Sequence, residues 1–186
     1  MILGIDPSLS ATGIAALDGK VQLSTIHSKP GEPVARLLEI TRQVNAVLNL
    51  VRPVAVGIEG LSMRSNDPSA QERAALHYFI RAALHLRGIP CYVIAPMSLK
   101  KFVCGKATVA NDVGRQVPAG KEHMLKAVWR NWEIDTADNN QADAAGLAYV
   151  VAAITGRYEM TNVAQREVVA KLTAAPVVKV KRRKGA

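Results

Sequence analysis

Residues 54–58, Val-Ala-Val-Gly-Ile, form an unbroken apolar run between Pro53 and Glu59. A strand that is apolar on both faces belongs in the middle of a sheet, covered above and below. The neighbouring sequence supplies the cover. Val34, Leu37, Leu38, Val44, Val47, Leu48 and Val51 recur close to helical spacing before the run. Residues 69–87 read as a second helix, closed by Gly88. Residues 89–95 then read as another buried strand.

The segment upstream is a meander. Residues 1–6 read as an apolar strand, and Pro7-Ser8-Leu9-Ser10 as a turn. Residues 11–17 and 20–27 form two strands joined at Asp18-Gly19, a strong hairpin signal. Downstream, residues 97–103 form a short helix with a two-lysine face. Residues 105–120 show no period and read as a loop. Helices follow over 121–132 and 138–155. Three meander strands, then helix, strand, helix, strand and further helices, predict an α/β fold with a mixed five-stranded sheet flanked by helices. The expected organisation is one domain over residues 1–158 and a basic, flexible tail over 159–186.

The chain carries a formal charge of +9, which points to a polyanionic partner, nucleic acid first. Lys179, Lys181, Arg182, Arg183 and Lys184 crowd the C-terminus. They either contact phosphates or act as a solubilising tail. No apolar run is long enough to span a bilayer, and the first residues read as a strand and not a signal peptide. Cys91 and Cys104 are too few for a disulfide framework and lack zinc-ligand spacing. A reducing cytoplasm, of a bacterium or a phage-infected cell, is the expected setting.

Three acids stand where a core would not ordinarily place them. Asp6 ends the first apolar strand, and Glu59 ends the run at 54–58. Asp143 lies within Ala142-Asp143-Ala144-Ala145-Gly146-Leu147-Ala148, a helix of small residues that can approach a sheet closely. A lone buried carboxylate costs several kcal/mol unless something pairs with it. Few cations lie near the three in sequence, so a shared divalent cation would resolve the cost. Oxygen ligands favour Mg²⁺, with Mn²⁺ as a substitute. Two such ions roughly 3.5–4 Å apart support in-line displacement at phosphorus.

At this point the residues resemble the RuvC family of the ribonuclease H-like superfamily. Gly4-Ile5-Asp6-Pro7-Ser8-Leu9-Ser10-Ala11-Thr12-Gly13 is similar to its opening motif, Ile58-Glu59-Gly60 to its second acidic motif, and Gln141-Ala142-Asp143-Ala144-Ala145 to its last. Leu99-Lys100-Lys101-Phe102-Val103-Cys104-Gly105 and Gly120-Lys121-Glu122 resemble its two basic segments. The likeness spans about residues 2–155, and phage-encoded members look most similar. It implies a homodimer that cuts four-way DNA junctions on two strands. It also implies Asp6, Glu59 and Asp143 as metal ligands, with Lys100 and Lys121 near the scissile phosphate. Lys101, Lys106, Arg64, Lys181, Arg182 and Arg183 complete the expected DNA contacts.

Two features depart from the family pattern. The place of its second acid, one helical turn before the last, is Asn140; the nearest acids are Asp138 and Asp135. Asp138, followed by Gln141, also has the pattern of a helix N-cap with a capping box, so it is a ligand, a cap or both. The loop after Glu59 has no aromatic wedge, which leaves Leu61 or Met63 to part base steps. His27, His77, His85 and His123 show no metal spacing, and His77 and His85 read as surface or interface residues. Trp129 and Trp132 read as core. The helix at 69–87 is apolar over more than one face, which suits either burial within the monomer under the 105–120 loop or, the preferred reading, a two-fold interface. Rival readings are a same-fold nuclease acting on flaps or RNA–DNA hybrids, and a non-catalytic DNA-binding module. An actin-like ATPase is disfavoured by the short chain and the lack of a phosphate-binding glycine loop.

Overall fold

The computed structural model describes residues 1–61, 68–110 and 115–174. Five strands, β1 (Ile2–Asp6), β2 (Ala11–Asp18), β3 (Lys20–His27), β4 (Ala55–Glu59) and β5 (Cys91–Ile94), form one sheet in the order β3-β2-β1-β4-β5. The first three are an antiparallel meander. β4 and β5 join in parallel. They are reached through α1 (Pro33–Val51) and α2 (Ala70–Leu86), as parallel pairing requires. This is the mixed, helix-flanked sheet that the order of apolar segments predicts.

Strand alternation divides the core in two. Leu3, Ile5, Val56 and Ile58 face α1 and α2, where they meet Leu37, Ile40, Val44, Leu48, Leu76, Ile80 and Leu84. Ile2 and Ala55 face the other way, onto α3 (Pro96–Cys104), α4 (Lys121–Trp132) and α5 (Asn139–Ile154). α5 is buried almost all round, as an alanine-rich helix without a polar stripe must be. It sits directly on the sheet because β1 offers it a glycine: a Cβ on Gly4 would run into the Ala144 carbonyl oxygen and the Ala148 nitrogen.

Four expectations are corrected. The segment 105–120 holds a small antiparallel ribbon, β6 (Thr108–Ala110) with β7 (Gln116–Pro118). The chain past 158 is not simply a tail, because α6 (Val163–Thr173) packs on α3. Val168 is 3% exposed, and the fully buried Gln165 side chain accepts from the Thr161 N–H at 2.8 Å. The cations of 179–184 dominate the composition of this stretch and mask the helix ahead of them. Trp129 is 62% exposed, whereas Trp132 lies flat on Tyr149 with ring centroids 4.0 Å apart. His77 is buried, not surface-exposed. Among the described residues no helix is long and apolar enough to cross a membrane.

Candidate active site

Asp6 and Glu59 are the last residues of the two central strands. The parallel register pairs Gly4 with Gly57 and Ile5 with Ile58, so the two acids stand side by side one step further on. Alternation directs both to the side of Gly4, the side covered by α5. Asp143 comes down from α5 to meet them, one residue before the Ala144 that rests on Gly4. The small residues are therefore what brings the third carboxylate within reach of the other two.

The turn after Asp6 is fixed by its own side chains. Buried Thr12 donates its hydroxyl to the Ser8 carbonyl at 2.8 Å and accepts the Ser8 N–H at 3.1 Å. Gly13, opposite Asp6 in the antiparallel register, lies against the Asn140 backbone, where any Cβ would collide. Asn140 thus borders the site through its main chain.

Electrostatics set the three acids apart from ordinary carboxylates. Burial pushes the Asp6 carboxyl well above the usual range, and the charges of Glu59 and Asp143 push it further. Asp6 is hydrogen-bonded to Glu59, which also favours a retained proton on Asp6. Glu59 is raised by burial, with the Asp6 hydrogen bond and the Lys100 charge acting against the rise. Burial, then the Glu59 charge, pushes Asp143 up to about 7, with Lys100 and Lys121 opposing. Like charges held close in a dry site produce this pattern.

Oxygen donors of this kind fit a hard divalent cation. Among the described residues no three acid, histidine or cysteine side chains already surround a common point.

The fourth acid is resolved in part. Asp138 caps α5, accepting the Asn140 N–H at 2.8 Å on one oxygen and the Thr25 hydroxyl at 2.7 Å on the other. It is the smallest of the charges that act on Asp6. Gln141 does not close a capping box; its amide donates to Thr25 at 3.0 Å instead. Asp135 is exposed and lines a different cleft, with Trp129. Nothing in the sequence flagged Thr25 as the partner of Asp138.

The basic residues divide. Lys100, on α3, and Lys121, the first residue of α4, are the cations that act on the acids. Lys106 is exposed beyond α3. Lys101 is instead ion-paired with Glu167 of α6, which ties it to a helix the sequence did not reveal. Leu61 is 37% exposed two residues beyond Glu59. Met63, Arg64, Lys181, Arg182 and Arg183 lie outside the described residues. His77, on α2, is 3% exposed and lies by the Glu59 main chain.

Comparison with known proteins agrees with this geometry. Residues 2–151 match the family model described as crossover junction endodeoxyribonuclease RuvC. A RuvC from Brevibacillus brevis is 30% identical over 154 residues, covering 79% of this chain and 88% of that protein. One from Treponema denticola is 31% identical over 157 residues, covering 79% and 82%. Among solved structures, Thermus thermophilus RuvC in complex with a Holliday junction substrate superposes with a TM-score of 0.64 at 26% identity, covering 84% of this chain and 94% of that one. The yeast mitochondrial Holliday junction resolvase shares the fold, with a TM-score of 0.52 at 16% identity over 91% of this chain and 80% of its own. The sheet order and these matches together place the chain in the RuvC family.

Proposed function

We propose that this chain is a magnesium-dependent endonuclease that cuts four-way DNA junctions by paired phosphodiester hydrolysis. The observation that carries the reading is the meeting of Asp6, Glu59 and Asp143 on one buried face, with Lys100 and Lys121 offsetting them. Those three carboxylates would hold the metal. Mg²⁺ is the natural occupant of an all-oxygen site, and Mn²⁺ can replace it. When bound, the metal makes hydroxide available near neutral pH and stabilises the leaving 3′-oxygen. Lys100 and Lys121 hold the scissile phosphate beside the acids. Asp138 anchors the start of α5, so that Asp143 keeps its place. Leu61, exposed at the edge of the site, is placed to part the base steps at the junction centre.

A second subunit supplies the second cut. α2 leaves Tyr78 60%, Phe79 39% and Leu86 84% exposed, and edge strand β5 adds Val93 at 40%. An apolar face of this kind on one helix suits a two-fold contact with its own copy. Free thiols at Cys91 and Cys104 fit a reducing cytoplasm.

The test is cleavage of a synthetic immobile four-way junction with Mg²⁺, wild type against Asp6→Asn. Symmetrical nicks by the wild type alone support the reading. Equal cutting by both proteins, or preference for an RNA–DNA hybrid, overturns it.

A further inference from the structure

Trp129 stands 62% exposed on the outer face of α4 and makes no aromatic ring contact among the described residues, whereas Trp132 is stacked on Tyr149 and donates to the Tyr158 hydroxyl at 3.1 Å. Trp129 lines a cleft of about 420 Å³, a size ordinary for a small-ligand site. Ile134 and half-buried Leu125 form the floor of the cleft, and exposed Lys126, Arg130 and Asp135 form its rim. Among the described residues neither Lys126 nor Arg130 meets a carboxylate within ion-pair distance. Two unneutralised cations beside an open indole are what single-stranded nucleic acid engages: phosphates on the charges, a base on the ring.

The helix that carries the cleft also leads to the active site. Lys121, at its first residue, is one of the two cations that act on Asp143. Trp129 is eight residues further on, about 12 Å along the helix axis. A DNA strand advances about 3.4 Å per nucleotide along the duplex axis, so the interval equals about three or four nucleotides. Asp135 decides which part of a nucleotide enters the cleft. Its carboxylate repels a phosphate but accepts hydrogen bonds from the amino group of a base.

We infer that this cleft is a second nucleic-acid subsite, in which an unpaired base of the bound DNA stacks on Trp129 while its flanking phosphates rest on Lys126 and Arg130. It rests on the junction-nuclease reading and extends it: an arm opened near the scissile phosphate is caught three or four nucleotides away. Asp6→Asn protein, expected to bind without cutting, is titrated with a four-way junction and with a short single-stranded oligonucleotide while tryptophan emission is followed. Both ligands are expected to quench the emission, and the quench is expected to vanish in Trp129→Phe. Trp129→Ala should weaken single-strand binding about ten-fold, within the range for loss of one stacked base. The double variant Lys126→Ala/Arg130→Ala should reduce the slope of log K against log salt by about 1.4, two contacts at about 0.7 each. Because all three side chains are exposed, an unchanged melting temperature separates lost contacts from lost fold. Quenching that survives in Trp129→Phe, or wild-type affinity in Trp129→Ala, overturns the subsite. Junction cleavage by the protein with Asp6 intact is scored separately. Cleavage without the quench overturns the subsite alone, and the quench without cleavage overturns the nuclease reading alone.

Discussion

Removing the charge of Asp143 should stabilise the metal-free protein, although it should destroy the enzyme. Burial and the neighbouring Glu59 hold Asp143 at about 7, against an ordinary 3.8. A carboxyl with a raised pKa in the fold contributes stability that is complete below about pH 4 and is lost as the pH rises through 7. The loss is about 1.4 kcal/mol per pH unit across that window. Over the interval from 3.8 to about 7 it amounts to about 4 kcal/mol. Movement of Lys100 and Lys121 toward the bare carboxylate would reduce that to about 2 kcal/mol. For a chain of this length each kcal/mol shifts the melting temperature by about 2–4 °C. Asp143→Asn in EDTA should therefore melt about 5–15 °C above wild type at pH 8, and the gap should shrink steadily toward pH 5.

Adding Mg²⁺ should reverse the order. A cation bound only by the folded state stabilises by RT ln(1 + [L]/Kd), about 2.7 kcal/mol at a hundred-fold excess over Kd. Wild type should gain that increment and the variant should gain little. Melting curves by calorimetry at pH 5 and pH 8, with EDTA and with Mg²⁺, give all the comparisons needed. A gap between the proteins that ignores pH would refute the argument from desolvated like charges. An Mg²⁺ shift of equal size in both would remove Asp143 from the metal site.

The other expectations are briefer. Asp6→Asn and Glu59→Gln should each abolish junction cleavage while gel-shift affinity stays close to wild type, because phosphate contacts by Lys and Arg carry the binding; residual cutting by either would take that residue out of the chemistry. Gly4→Ala should cost about 3 kcal/mol or more, at or above the top of the usual overpacking range, since its Cβ meets the α5 backbone and no movable side chain. Urea denaturation showing wild-type stability there would mean that α5 does not rest on β1 as described. Phe79→Glu should convert a dimer of about twice 20.0 kDa into monomers or insoluble protein; light scattering that finds the variant still dimeric would place the interface elsewhere.

What the sequence made legible was whatever strand periodicity controls. The run at 54–58 could only be a central strand. Once Gly4 and Gly57 share a face, Asp6 and Glu59 must follow them onto it, because side chains alternate with a period of two. Asp143 was legible for a related reason: an acid inside Ala-Asp-Ala-Ala-Gly marks a helix that lies close to something. Trp129 and Trp132 were not separable in the same way. They are three residues apart on one helix, and which of them is covered depends on Tyr149 and Tyr158, which arrive from α5 and the loop after it. Lys101 and α6 failed for the same cause, since the Glu167 that holds Lys101 is 66 residues away.

The fourth acid shows where pattern reading gives way to geometry. Position 138 offers a carboxylate, and a sequence can say only that it caps, ligates or does both. In the fold each of its oxygens accepts one hydrogen bond, one from the Asn140 N–H and the other from Thr25 on β3, a strand that no local pattern connects to α5. Those bonds pin the first turn of α5 to the meander. With Gly13 lying against the Asn140 backbone, they leave that turn little freedom to shift along the sheet. Asp143 lies only one turn further along. Its reach toward Asp6 and Glu59 is thus set from two directions: by Ala144 on Gly4 from below, and by Asp138 on Thr25 from the end of the helix. An acid at the start of a helix thus fixes where a second acid, five residues on, stands.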